Sequence, residues 1–264
     1  MPGEPVREIV AGVDDPPDPA AVLDLASDEA VLRSAPLTLV HVSAGTRSSV
    51  LSSAVARVRA ARPALPVRAE PLGGDPAATL AARAAGAGLL VLGHRRGRRA
   101  GRHDPRAVAA AVLGSATVPV LICPDSAVPG GPVVVGVDGT AGSEAALRFG
   151  FAEADLRRAP LTAMHLWPPL GAASPDRGGV SAAEGLFLDL LATWSDKYPD
   201  VPVRLSVRHG LDAAIVLSAA SRSARLMVVS GATFNPVLAA LTARAACPVA
   251  VVPDDRLVKA VRAV

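Results

Sequence analysis

Aromatic residues and cysteines are scarce in this sequence. Aromatic residues make up 3% of the 264 residues, and all of them follow residue 148. The first half must therefore build its core from aliphatic side chains alone. The two cysteines, Cys123 and Cys247, are too few for a disulfide framework and lack the spacing of metal ligands. We expect no metal site and a reducing, cytoplasmic location.

Long apolar runs and a strong charge of one sign are also missing. No apolar run approaches the roughly 18 residues of a membrane span, and the chain does not open with a signal-peptide pattern. The formal net charge is +3, and half of the residues are apolar. This composition excludes a membrane protein and a disordered chain, and the length suits two ordinary domains.

The chain instead contains an internal repeat. Two segments near the start of each half match at an offset of 124 residues, which aligns Asp14 with Asp138 and His41 with His165. A third match, "LPVRAEPLGGDPAATL" with "VPVRLSVRHGLDAAIV", has a constant offset of 136. Later matches set "GLLVLG" against "RLMVVS" and "TVPVLICP" against "ACPVAVVP". The two halves therefore contain the same segments in the same order.

Each half consists of five short β-rich segments that alternate with alanine-rich helical segments. Uninterrupted Val, Leu and Ile runs are typical of strands buried on both faces of a parallel sheet. We therefore predict an α/β protein of two tandem five-stranded parallel-sheet Rossmann-like domains. The predicted boundaries are 1–125 for the first domain, 126–131 for a linker, 132–254 for the second domain and 255–264 for a tail.

Three motifs carry a family resemblance. The segments "VVVGVDGTAGSEAALRFGFAEA", "PLTAMHLW" and "CPVAVVP" resemble the universal stress protein family, and the chain looks like a tandem member of it. The resemblance covers roughly 7–125 and 132–254 and implies the adenine nucleotide alpha hydrolase-like fold. The first domain departs from the pattern, because Asp15 and a proline-rich turn replace the usual Gly-Ser after its first strand.

The resemblance also implies a place for a nucleotide. One group of the family binds ATP through an acidic residue after the first strand, the backbone at the end of the second strand and a glycine motif after the fourth. Carried onto this sequence, these positions give the candidate nucleotide contacts Asp14, Val42, Gly93, Arg95, Arg96, Arg106, Asp138, Gly139 and Leu166.

The family's glycine motif is degenerate in this chain. With Gly93 as its first glycine, the second and third fall on Arg96 and Arg106, and the Ser/Thr position falls on Ala107. The second half loses eight residues between the fourth strand and the proline of the fifth. Gly114-Ser115 resembles the end of the motif, but its position predicts a helix C-terminus.

Two helix starts support this interpretation. Asp104-Pro105 and Asn235-Pro236 combine a good N-cap residue with proline at the first helical position. The carboxylate of Asp104 would occupy N–H groups that a phosphate needs, and it would repel the phosphate. We therefore expect no bound cofactor, with ATP and Mg²⁺ as the open alternative.

Several residues can be interpreted in more than one way. Asp14 and Asp138 either contact a nucleotide or cap a turn, and the second is favoured. His41 and His165 are expected to be buried and hydrogen-bonded rather than catalytic. The arginine-rich segment 93–106 is a solvated loop, a rebuilt phosphate clamp or a nucleic-acid contact. A nucleic-acid contact is the least favoured of the three, because the domain that contains this segment has no aromatic residue for base stacking.

The fifth strands are the expected site of association. In this family these edges dimerise, so a tandem chain could pair its own two fifth strands as an intramolecular pseudo-dimer, or form a homodimer. An antiparallel pairing would bring Cys123 and Cys247 opposite one another. A reducing cytosol disfavours a disulfide, so we expect two buried thiols that act as small apolar residues.

The functional prediction is a non-catalytic stress-response module that acts through an unknown protein partner. One alternative is a nucleotide-binding stress sensor that uses Asp14 or Asp138 with arginines of segment 93–106. A second is an enzyme that acts on phosphoesters. The enzyme ranks low, because the sequence shows no nucleophile–base pair, no metal-ligand cluster and no intact phosphate loop.

Overall fold

The structure is a computed structural model of the whole chain with two compact units, Met1–Ser126 and Ala127–Arg256. The residues that it describes are 6–14, 20–43, 48–93, 105–124, 130–137, 142–166, 177–208, 212–231 and 236–253. The predicted tail 255–264 lies outside them. Each unit is a parallel α/β sheet, as the alternation of aliphatic runs and alanine-rich segments predicted.

The first unit has five strands in the order β3-β2-β1-β4-β5, and every pairing is parallel. Its elements, in chain order, are β1 Ile9–Gly12, α1 Ala20–Leu32, β2 Leu37–Val42, α2 Ser48–Ala61, β3 Val67–Leu72, α3 Pro76–Ala84, β4 Leu89–Gly93, α4 Pro105–Leu113 and β5 Val120–Cys123. The strands β1, β2, β4 and β5 are almost entirely buried because helices cover both faces of the sheet.

The second unit repeats this arrangement in the order β8-β7-β6-β9-β10, again parallel throughout. Its elements are β6 Val133–Val137, α5 Gly142–Leu156, β7 Leu161–Leu166, α6 Arg177–Lys197, β8 Val203–Arg208, α7 Ala213–Ala220, a 3₁₀ turn Ser221–Ser223, β9 Leu226–Ser230, α8 Pro236–Arg244 and β10 Val249–Val252. The prediction of two tandem five-stranded domains is confirmed.

The two cores are filled differently. The large, fully buried side chains of the first unit are isoleucines and leucines, since no aromatic residue precedes residue 148. In the second unit Phe151 is fully buried and stacks on Tyr198, with ring centroids 5.8 Å apart. Trp194 stacks on the same tyrosine at 6.4 Å. Trp194 lies on the longer α6, and Tyr198 directly follows its last residue, Lys197.

The structure corrects the sequence alignment of the repeat by one residue. Asp75 caps α3 by accepting the N–H of Ala78, and Asp212 caps α7 by accepting the N–H of Ile215. These two residues are therefore equivalent, at an offset of 137. The constant offset of 136 set Asp75 against Leu211 and is wrong from the cap onward. A cap fixes the start of a helix more reliably than a shared glycine in a loop does.

Candidate functional site

The strand order gives each unit one edge that is the candidate place for a ligand. In the first unit β1 lies between β2 and β4, so the chain moves first to one side of β1 and then to the other. In open parallel sheets, ligands bind outside the carboxyl ends of the strands at such a switch point. We call the carboxyl ends of β1, β2, β3 and β4 the first edge, and those of β6, β7, β8 and β9 the second edge.

The first edge brings three predicted contact residues together. Asp14 follows β1 and is exposed, whereas Val42 and Gly93 end β2 and β4 and are partly buried. The N–H of Val13 donates to the carbonyl of Val40 at 2.8 Å, which extends the pairing of β1 and β2 beyond their last ladder residues. The backbone just before Asp14 is thereby held beside β2 at the switch point.

Close packing against α1 explains why position 93 is a glycine. A Cβ atom at this position would lie 2.9 Å from a methyl group of Val22, which belongs to α1. At the end of β1, a Cβ on Gly12 would lie 2.8 Å from a methyl group of Leu92. Both glycines let neighbouring aliphatic groups approach the sheet closely. Glycine at position 93 is therefore explained without a phosphate.

Arg106 is the predicted contact that lies on a helix. It is partly buried in the first turn of α4, which begins at Pro105 as predicted. Arg95, Arg96 and the predicted cap Asp104 lie outside the described residues. Gly114 and Ser115 follow the C-terminus of α4, where the Ser115 hydroxyl donates to the carbonyl of Ala111. Their predicted place at a helix end is confirmed.

The two repeated histidines are buried in their strands. His41 Nδ1 donates to the carbonyl of Val13 at 2.8 Å, so the ring helps to hold the end of β1 beside β2. His165 is buried, and its ring centroid lies 5.0 Å from that of Phe187 on α6. Both histidines are buried as predicted, and the predicted hydrogen bond is seen for His41.

The second edge is closed by packing. Leu166 ends β7 and is partly buried, whereas Asp138 and Gly139 lie outside the described residues. Gly231, directly after β9, donates its N–H to the carbonyl of Val252 at 3.1 Å. A Cβ at Gly231 would lie 2.6 Å from a methyl group of Val251 and 3.2 Å from one of Leu238. This glycine therefore serves close contact with the protein's own strand and helix.

Sequence reasoning missed two aspartates at these edges. Asp75 and Asp212 cap α3 and α7 with donor–acceptor distances of 3.0 Å to Ala78 N and Ile215 N. Their carboxylates occupy backbone donors and place negative charge at helix N-termini, where an anionic ligand would otherwise be favoured. The Asp-Pro pair at 75–76 was a sequence signal for the first cap.

Apolar side chains lie in the first turns of both helices that open at the second edge. Ile215 of α7 is 62% exposed, and Val237 of α8 is 38% exposed. Side chains of this kind offer no hydrogen bond to phosphate oxygens. The second edge therefore combines an occupied glycine N–H, a capped helix and exposed aliphatic groups.

The described part of the chain also bears on metal, membrane and thiol chemistry. Within it, no group of three or more His, Cys, Asp or Glu side chains could hold a metal ion. No helix there is long and apolar enough to cross a membrane. Both cysteines are buried and unbridged, and burial raises the pKa of Cys247 to about 12.

Comparison with known proteins decides the family. A universal stress protein from Mycolicibacterium smegmatis is 30% identical over 257 residues, which cover 84% of this chain and 85% of that protein. The chain belongs to the universal stress protein family. Universal stress protein Rv2623 from Mycobacterium tuberculosis is also 30% identical, over 258 residues and the same shares of both chains. The universal stress protein family model matches residues 131–253.

Solved structures show the same fold over both universal stress protein domains. A universal stress protein from Archaeoglobus fulgidus aligns with a TM-score of 0.65 and 14% identity, covering 94% of this chain and 97% of that one. A functionally unknown protein from Pseudomonas aeruginosa aligns with a TM-score of 0.67 and 16% identity, covering 98% and 96%. At these identities the likeness concerns the fold.

The connection that would carry the family's glycine motif differs between the two universal stress protein domains. Eleven residues separate β4 from α4, but five separate β9 from α8. Both helices have nine residues. Of the eight residues that the second domain lacks, six therefore precede the helix and two follow it. The difference in length therefore falls mainly on the connection between the fourth strand and the helix that follows it.

Proposed function

We propose that this universal stress protein is a non-catalytic interaction module of the stress response in which both ATP sites are degenerate. The observation that carries the proposal is the position of Gly231. Its N–H is donated to Val252, and Val251 and Leu238 fill the space around it. A glycine that cradles a phosphate needs the opposite arrangement, with a free N–H and open space in front of it.

The rest of the second edge supports the same proposal. A triphosphate needs several donors, because each buried phosphate oxygen must be hydrogen-bonded. The five-residue connection before α8 supplies few backbone N–H groups. The N-terminus of α7 is already capped by Asp212, and Ile215 and Val237 place aliphatic groups beside it. These residues do not fit ATP with Mg²⁺.

Several side chains argue against catalysis. Nδ1 of His41 is bound to a backbone carbonyl, and the ring of His165 packs against Phe187. The thiol of Cys247 is buried with its pKa raised to about 12, so it is not a thiolate nucleophile at neutral pH. None of these three side chains is therefore placed to act as the nucleophile or base on which hydrolysis of phosphoesters commonly depends.

The first edge favours a second candidate function, a nucleotide-binding stress sensor. It retains the full eleven-residue connection, and Asp14 is exposed at the switch point. Arginine forks from segment 93–106 could hold phosphate oxygens in place of glycine N–H groups. Against it, Arg96, Arg106 and Ala107 stand where the family motif has two glycines and a hydroxyl.

The test is equilibrium binding of ATP with Mg²⁺ to the full chain by calorimetry, beside tripolyphosphate and AMP, at low and physiological salt. We expect no saturable ATP binding at millimolar concentrations. Restoring the motif with Arg96→Gly, Arg106→Gly and Ala107→Ser should create binding at the first edge if the motif alone is at fault.

ATP binding that survives physiological salt would contradict the proposal. Its loss in Arg95→Ala/Arg96→Ala would assign it to a rebuilt phosphate clamp and support the sensor. The matched control is Arg222→Ala/Arg244→Ala, which removes two exposed arginines from helices of the second unit. If binding depends only on the total positive charge, both double variants should weaken it equally. If a clamp holds the phosphates, only Arg95→Ala/Arg96→Ala should weaken it.

A further inference from the structure

The outermost strands β3 and β8 differ in the backbone groups that they turn outward. Leu37 N–H donates to the carbonyl of Pro66, and Leu161 N–H donates to that of Pro202. In a parallel ladder, every second residue bonds to the same neighbour. The N–H and C=O groups that point away from the sheet are therefore those of residues 67, 69 and 71 in β3 and residues 203, 205 and 207 in β8.

The outward edge of β3 is interrupted and that of β8 is not. Pro71 has no N–H to offer, and proline is a common device that blunts an edge strand. The equivalent residue of β8 is Val207, and all six residues of β8 pair in register with β7. β8 thus presents an unbroken row of outward donors and acceptors among the described residues.

An exposed leucine lies on the edge strand β8. In the first unit, Ala69 of β3 lines an open groove of about 530 Å³. The equivalent residue of β8, at the offset of 136, is Leu205, and it is 43% exposed. A large apolar side chain that remains exposed beside an open row of backbone donors and acceptors favours pairing with another strand.

We propose that the β8 edge binds a second copy of this chain, through an antiparallel pairing of the two β8 strands centred on Leu205. In this register Leu205 lies opposite the partner's Leu205, and Val203 lies opposite the partner's Val207. Each outward N–H and C=O of these residues then has a partner. The outward-facing row of one copy is complementary to itself, and the side chains of Val203, Leu205 and Val207, which share one face of the strand, are all apolar.

Charge selects this register over its neighbours. On the opposite face, Arg204 lies opposite the partner's Ser206. Sliding the strands by two residues in one direction opposes Arg204 to the partner's Arg208, and in the other direction to the partner's Arg204. Like charges directly opposite one another destabilise an antiparallel pair. Arg204 and Arg208 are exposed on β8, so both alternative registers bring two arginines together.

The test measures the association of the full chain by sedimentation equilibrium. Wild type should dimerise reversibly, with a dissociation constant in the micromolar range that is usual for a small interface. Leu205→Lys and Leu205→Glu each place like charges at the centre of the pairing, and each should weaken the dimer by about tenfold or more. An equimolar mixture of the two variants should recover the dimer, because a misfolded chain could not be rescued by its opposite charge.

The matched controls are Ala69→Lys and Ala69→Glu, which make the same changes on the blocked strand β3 and should leave the dissociation constant unchanged. A wild-type chain that stays monomeric at millimolar concentration would overturn the proposal. So would a dimer that is insensitive to the Leu205 variants, as expected for association through fifth strands, or a mixture without recovery. No nucleotide enters this measurement, so its outcome is independent of ATP binding.

Discussion

The two units share one fold but differ in the length of one connection and in the side chains that fill their cores. The first keeps a long connection between its fourth strand and the following helix, and its core is aliphatic. The second has shortened that connection by six residues and fills its core with aromatic rings. The same strand order is therefore compatible with connections of different length after the fourth strand. What both units retain is the packing of helices against the sheet, which the fold itself needs.

One pair of contacts shows how this packing was retained. Where the second unit has Val135 on β6 and Gly150 on α5, the first has Ala11 on β1 and Ala26 on α1, at the offset of 124. A Cβ on Gly150 would lie 2.3 Å from a methyl group of Val135. The second unit thus has one larger side chain and one absent side chain where the first unit has two small ones, so the space between helix and sheet is filled from the strand alone.

The largest expected effect comes from breaking this size exchange. Gly150→Ala should destabilise the second unit by about 2 kcal/mol, because overpacking a rigid core costs more than the helix gains from alanine. Denaturant unfolding of the full chain measures the loss. Hydrogen exchange, resolved by peptides, should place the added opening in 133–166 and not in the first unit.

A double variant tests the cause. Val135→Ala combined with Gly150→Ala recreates the Ala–Ala pair of the first unit and should cost less than the sum of the two single changes, by about 1 kcal/mol or more. Additive losses would mean that the two side chains do not compete for the same space, and the proposed exchange would then be wrong.

An ionic network in the first unit gives the next effect in size. Arg83 of α3 joins Glu8 and Glu70 at 2.8 and 2.6 Å, and Glu8 also accepts from the hydroxyl of Thr38. The hydrogen bond from Arg83 lowers the pKa of Glu8 below its ordinary value of 4.5, against the opposing effect of burial. At the corresponding offsets the second unit has Ala220, Pro132 and Ser206, which cannot form this network.

Arg83→Met should therefore destabilise the first unit by about 1 kcal/mol at pH 7, a small value because the network is partly exposed. A carboxylate with a lowered pKa in the folded state contributes stability above pH 4.5, and this contribution is lost as the pH falls through the folded value. The difference between wild type and variant should thus shrink from pH 5 towards pH 3, in urea titrations across that range. A difference independent of pH would indicate lost packing of the arginine stem instead.

The sequence predicted the features that depend on local patterns. Aliphatic runs predicted the strands, and Asp-Pro and Asn-Pro pairs predicted where α4 and α8 begin. The buried histidines and the helix end at Gly114 were predicted for the same reason. The cap at Asp212 was missed because one inserted residue shifted the alignment. The packing of Gly231 depends on Val251 of β10 and Leu238 of α8, and the sequence pattern does not show that these side chains meet the glycine. Contacts of this kind have no local signature.

The smallest expected effect tests a feature that both units have kept. Ser34 and Arg158 end the turns after α1 and α5 with positive φ angles of 52° and 48°. The N–H of each following alanine bonds back to the helix, from Ala35 to Ala30 and from Ala159 to Ala154. This six-to-one bond is the mark of a Schellman motif, whose left-handed residue is usually glycine.

Ser34→Gly and Arg158→Gly should each stabilise the chain by about 0.5 kcal/mol, since relief of the left-handed strain exceeds the added entropy of glycine in the unfolded chain. Thermal unfolding of the full chain measures both, and Ser34→Ala is the matched control that keeps the strain. Equal gains would show that the two turns still obey one conformational requirement. A gain at Ser34 alone would show that the Arg158 side chain contributes contacts that offset its strain, so that the two units have diverged even in their most closely repeated turn.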